Sequence, residues 1–123
     1  MAQQPLATKG NYFHVYDFRV KPGEGEQFVK VFEEHDYQDD NPFHKSSAQV
    51  KDGVLARDET DPDHFYLIGE WSDIVAHAAL RNAQMKGPPP PWMAHIVPGT
   101  FKLTYAKIVM STPQWVLDKA AAK

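Results

Sequence analysis

The order of patterned segments predicts an α+β domain running strand, helix, strand, strand, helix, strand. Three observations carry that prediction. Residues 11–20 and 64–71, NYFHVYDFRV and HFYLIGEW, are rich in the aromatic and β-branched residues that strands favour. Residues 23–36 place Phe28, Val31, Phe32 and His35 at the i, i+3, i+4, i+7 spacing of a helix. Breaks at Pro22-Gly23, at Gly87 with the four prolines 88–91, and at Pro98-Gly99 separate the segments.

Residues 1–10 are expected to form a disordered lead-in, residues 11–110 the domain, and residues 111–123 a helical tail. In the first strand, Tyr12, His14, Tyr16, Phe18 and Val20 share one side, and Phe13, Val15, Asp17 and Arg19 the other. Both sides carry apolar groups, so both are expected to be covered. Glu24 and Glu26 sit at the start of the first helix, where negative charge is favoured. Asn41-Pro42 is read as its stop. Residues 37–52 give no clear pattern, and Ser46 to Val50 fits a strand start or a short helix equally. Residues 53–58 and 64–71 read as a hairpin around the turn containing Pro62. Ser72 is a candidate N-cap for a helix over 73–85, and the prolines then force an extended connection. Trp92 to Val97 fits a short helical turn, 101–110 a last strand, and Pro113 the opening of a C-terminal helix.

This βαββαβ order is the ferredoxin-like one. Right-handed crossovers place both helices on one face of a four-stranded antiparallel sheet. The opposite face keeps too much apolar surface to stay in water, which implies a homodimer: a dimeric α/β barrel.

Composition narrows the function classes. The 123 residues fit one domain. The net charge of −3 and scattered lysines and arginines give no footprint for a phosphate backbone, so no nucleic-acid partner is expected. No segment is long and apolar enough for a membrane span, and the first residues do not read as a signal peptide. Cysteine is absent, which removes disulfides, thiolate catalysis and cysteine-held zinc. A cytoplasmic protein is the expectation. No histidine pair has i, i+4 spacing, no HExxH motif occurs, and no glycine-rich phosphate loop is present, so neither a metal nor a nucleotide or flavin cofactor is expected.

Several stretches together resemble the antibiotic biosynthesis monooxygenase family. They are the strand end VKPGEGEQF, the hairpin GVLARDETDPDHFYLIGEW and the following SDIVAHAAL, and the likeness spans roughly residues 11–110. The resemblance implies a dimeric α/β barrel. It also implies cofactor-independent oxygenation of a phenolic substrate, in which the deprotonated substrate supplies the electrons to oxygen in a cleft between sheet and helices. Trp71 matches the tryptophan closing the family's third strand, and His77 the Ala-His of its second helix. Leu67 departs from the pattern, because quinone-forming members carry asparagine there. Haem-degrading members use an asparagine on the first strand, where Tyr16 stands, and a histidine late on the second helix, where none stands, although His95 could serve as a ligand.

The candidate catalytic residues are His77, His14 and Arg81. Four residues apart, His77 and Arg81 lie on one side of the second helix, at the border of an apolar face marked by Ile74, Val75 and Ala78. His77 or His14 could take a phenolic proton, and Arg81 could hold the anion. Candidate substrate-binding residues are Tyr16, Trp71, Asn82, Trp92, His95 and Tyr105. Trp71 and Trp92 would wall the substrate, the proline run would hold Trp92 and His95 as a lid, and Asn82 falls near the centre of the apolar arc. Each has a plain structural alternative: a packing tryptophan, a helix cap, an interface residue or a polar rim. The expected function is a monooxygenase-like enzyme acting on a small aromatic or polycyclic phenol. The alternatives are a non-oxidative cyclase, isomerase or lyase on the same scaffold, and a non-catalytic ligand-binding dimer.

Overall fold

The computed structural model describes residues 2–123. In chain order the elements are β1 (Tyr12–Arg19), α1 (Gly25–Asp36), α2 (Pro42–Lys45), β2 (Gln49–Arg57), β3 (His64–Trp71), α3 (Ile74–Lys86), a 3-10 turn (Pro91–His95), β4 (Lys102–Lys107) and α4 (Gln114–Ala121). The strands form one antiparallel sheet in the order β2-β3-β1-β4. This is the ferredoxin-like α+β fold.

β1 is central because it pairs on both sides, with Tyr16 opposite Leu67 on β3 and opposite Leu103 on β4. Its strict alternation decides what faces the helices. His14, Tyr16 and Phe18 are buried there, while Phe13, Val15 and Asp17 turn to the other face and are partly exposed. The apolar core fills one half of the helix-facing side. Phe18, Phe28 and Phe65 are fully buried, with Val20, Trp92 and Ile96 around them. Phe28 of α1 sits edge-on to Phe18, their ring centres 5.5 Å apart. Each buried phenylalanine contributes about 1.5–3 kcal/mol relative to exposure.

Three expectations change. Asn41-Pro42 does not merely end α1; it opens α2. The Asn41 side chain caps the Phe43 N–H at 3.0 Å, and Pro42 takes the first helical position, where its missing N–H costs nothing. The cap of α3 is Asp73 rather than Ser72, its carboxylate accepting from Val75 N–H at 2.9 Å. The expected disordered lead-in is tied down. Ala7 is buried, Gly10 N–H donates to Ile108 O, and Lys51 Nζ donates to Leu6 O. Thr8 N–H and Asn11 Nδ2 both donate to Glu70, a carboxylate only 1% exposed that turns away from the helices. The buried carboxylate needs donors, and the N-terminal segment supplies two, both to Oε2, with Lys51 Nζ 4.0 Å from Oε1.

Among the described residues, no helix is long and apolar enough to cross a membrane, and no group of three or more His, Asp or Glu side chains could hold a metal ion.

Candidate active site

The second half of the helix-facing side is built from hydrogen-bonding aromatic side chains. β1 points His14 and Tyr16 inward. Opposite His14 on β3 stands Gly69. A Cβ at Gly69 would lie 2.7 Å from His14 Cε1 and 3.1 Å from its Nδ1, so the missing side chain is what lets the imidazole lie flat on the strand. Trp71, two residues on and wholly buried, donates its indole N–H to His14 Nδ1 at 2.8 Å. Indole nitrogen is only ever a donor. His14 therefore carries its own proton on Nε2.

His77 enters from α3. It is fully buried and stacks on His14, the ring centres 4.4 Å apart and the planes 15° apart. Its Nε2 lies 3.2 Å from the Tyr16 hydroxyl and its Nδ1 2.8 Å from the Tyr105 hydroxyl. Both ring nitrogens are thus spoken for by phenols. Phe43 of α2 closes the group, edge-on to Trp71 and tilted against His77.

The electrostatics follow from burial. Desolvation pushes His14 down to about 3, with the neighbouring His77 adding to it. Desolvation pushes His77 down to about 4, with the Arg81 cation adding to it. Both rings are neutral at pH 7. Burial raises Tyr16, against the opposing pull of Arg81, and raises Tyr105 as well. Arg81 stands beside these groups as a fixed positive charge.

This cluster forms one end of a cavity of about 860 Å³, near the upper end of the range usual for small-ligand sites. His14, Tyr16, His77 and Arg81 are part of its polar lining, as are His35, Asp36, Asp40 and His44. Phe32, Phe43, Leu67, Trp92 and Phe101 give it apolar walls, and Gln49, Gln84 and Asn41 add amides.

The sequence-predicted site residues fall into three groups. His14, Tyr16, His77, Arg81 and Trp92 line the cavity. Trp71 and Tyr105 sit behind that wall, touching His14 and His77 rather than the space itself. Asn82 and His95 lie elsewhere. Asn82 is exposed, because the inner face of α3 runs through Ile74, His77, Ala78 and Arg81 and leaves Val75 and Asn82 outside. His95 is drawn to Glu24 at the start of α1, Nδ1 to Oε1 2.8 Å. Trp92 is no lid; it is buried against Phe28 and Phe32 and belongs to the core. His77 is not a border residue but the centre of its helix face. His14 loses the role of proton acceptor, because Trp71 already occupies its free nitrogen.

Sequence reasoning missed Gly69, Phe43 and Gln49. The signal for Gly69 was the register: a glycine inside HFYLIGEW marks a close approach, and His14 is the group that approaches. Phe43 was hidden by reading Asn41-Pro42 as a stop.

No family model matches the sequence, and no curated protein matches it. Solved structures do match. A point mutant of SnoaB, a cofactor-independent oxygenase from Streptomyces nogalater, aligns with a TM-score of 0.58 at 20% identity, over 85% of this chain and 98% of that one. An antibiotic biosynthesis monooxygenase structure aligns with a TM-score of 0.56 at 19% identity, over 80% and 99%. A dimeric ferredoxin-like protein from an uncultured marine organism aligns with a TM-score of 0.65 at 10% identity, over 85% and 93%. At these identities the likeness is one of fold. The chain carries the fold found in antibiotic biosynthesis monooxygenase structures, along nearly the whole length of each.

Proposed function

We propose that the protein is a cofactor-independent monooxygenase acting on a polycyclic phenol. The observation that carries the reading is the cavity itself, which a neutral, fully buried His77 and the Arg81 cation line together with apolar side chains, in a volume large enough for fused rings. His77 is the base, acting on the substrate through the Tyr16 hydroxyl bound to its Nε2, and Arg81 stabilises the phenolate. His14 Nε2–H is a donor to a substrate oxygen. The phenolate, in its carbanion form, gives its electrons to dioxygen. The resulting hydroperoxide loses water to leave a carbonyl, so that the phenol O–H, the reacting ring C–H and O2 become two C=O groups and H2O.

A second copy of the chain covers the outer face of the sheet in this reading. Phe13, Val15, Tyr66 and Ile68 lie there partly exposed, and Val54 is 63% exposed. A monomer in light scattering would remove that part.

Leu67 favours a second reading. It lines the cavity where quinone-forming relatives are expected to carry asparagine, and a non-oxidative cyclisation or lyase step would use the same base and cation. A non-catalytic binding dimer would be favoured by His14, His77 and His95 all pointing to solvent; His14 and His77 are buried, and His95 is turned to Glu24.

Oxygen uptake with a panel of polycyclic phenols is the test. His77→Gln is expected to lower turnover by about 10²–10⁴-fold with the fold intact. An unchanged rate rejects the base. Equal turnover without oxygen rejects oxygenation and leaves the second reading.

A further inference from the structure

We propose that Tyr16, His77 and Tyr105 form a directional proton relay that carries the substrate's proton from the cavity wall to the partly exposed Tyr105 on β4. The inference rests on the reading above and deepens it. His77 has no free nitrogen to offer a substrate, because Tyr16 holds Nε2 at 3.2 Å and Tyr105 holds Nδ1 at 2.8 Å. Tyr16 lines the cavity and is 7% exposed; Tyr105 is outside the cavity wall and partly exposed. The three groups therefore join the inside of the cavity to its outside through two hydrogen bonds.

The direction of the relay follows from where its ends lie, Tyr16 on the cavity wall and Tyr105 off it. A proton can leave the cavity by this path only if His77 Nε2 is the accepting nitrogen, so in the relay Tyr16 donates its hydroxyl proton to Nε2. His77 then carries its proton on Nδ1 and donates to the Tyr105 oxygen. The Tyr105 proton is free to face water.

The transfer balances without storing charge on the ring. The substrate's phenolic proton passes to the Tyr16 oxygen as the Tyr16 proton passes to His77 Nε2. The Nδ1 proton passes to Tyr105, whose own proton leaves to solvent. His77 ends in the opposite tautomer and never has to persist as the imidazolium that its burial disfavours. Run inward, the same path returns one proton to the peroxide oxygen formed after dioxygen adds, and it restores the first tautomer. Tyr16 thus meets the substrate, His77 drives the proton transfer, and Tyr105 is a positioning and exit residue that does not touch the ring system.

Tyr105→Phe keeps the ring and removes the exit. In the wild type, ¹⁵N NMR of the histidines is expected to show His77 protonated on Nδ1, and in Y105F that preference is expected to weaken. With a turned-over phenol, kcat is expected to fall by about a hundredfold and KM to stay within about twofold, with millimolar imidazole buffer restoring part of kcat. A purely structural role would give no buffer rescue. His77 protonated on Nε2 in the wild type, or a Y105F enzyme with wild-type kcat, overturns the relay. Should no phenol be turned over by the wild type, the oxygenase reading fails, while the wild-type tautomer and its response to Y105F still decide the relay. Should Y105F not fold, Tyr16→Phe tests the other end: an Nδ1–H preference that does not change overturns the relay.

Discussion

The two halves of the helix-facing side of the sheet are built from the same strand by opposite means. At one end β1 offers Phe18 and Val20 to Phe28, Phe65 and Trp92, and nothing there needs a hydrogen bond beyond the backbone. At the other end the same strand offers His14 and Tyr16, and each ring nitrogen that lacks its own proton has a partner. Burial is as deep in both: Phe28 is 0% exposed and so is His77. The apolar half is stable because water is excluded from carbon. The polar half is stable only while its histidines stay neutral, so it carries a pH dependence that the apolar half lacks.

Acid separates the two halves with the largest effect. The folded-state values of His14 and His77, about 3 and about 4, lie below the ordinary 6.5. The unfolded chain therefore binds more protons than the folded one between those limits. Stability is fully present above about pH 6.5 and falls as the pH drops toward 4, by on the order of 3 kcal/mol for each ring. Urea titrations at pH 7, 5.5 and 4 should trace the loss, and His77→Gln should remove roughly half of it. A flat wild-type profile would mean that the two histidines are not held neutral by the fold.

Phe28→Ala should cost about 3–5 kcal/mol through the cavity it leaves, while the pH slope stays that of the wild type. Loss of the slope together with the stability would show that the halves are not independent. Gly69→Ala should cost about 1–3 kcal/mol by overpacking, because the new methyl must displace the His14 ring. The indole N–H resonance of Trp71 reports whether its bond to His14 goes with it, and an unshifted resonance with unchanged stability would place His14 elsewhere.

The apolar half was readable in the sequence because its signal is periodic. Phe28, Val31 and Phe32 repeat at helical spacing, and Phe18 and Val20 alternate along a strand. His14, Tyr16, His77 and Arg81 could be singled out as polar groups on otherwise apolar patterns, but their arrangement could not. His14 and His77 are 63 positions apart, and only the β1–β3 register with the packing of α3 brings their rings into stack. Asn82 shows the limit on α3 itself. The apolar arc drawn from Ile74, Val75 and Ala78 put Asn82 near its centre, but the helix is rotated to bury His77, which the sheet's tyrosines can satisfy, and so leaves Asn82 and Val75 outside. Residues 37–52 resisted reading because a four-residue helix has no period to detect.

By itself the sequence determined the order of strands and helices, the alternation that sends His14 and Tyr16 to the same side as Phe18, and the absence of thiol chemistry. Those depend on local sterics and on patterns a few residues long. The tertiary structure alone decided that Trp71 fixes the tautomer of His14, that His77 stands between two phenols, and that Glu70 is held by the N-terminal segment. A hydrogen bond between residues sixty positions apart leaves no periodic trace in the chain. It exists because burial makes an unpaired polar group costly, and the fold brings partners to His14 and His77 from distant elements.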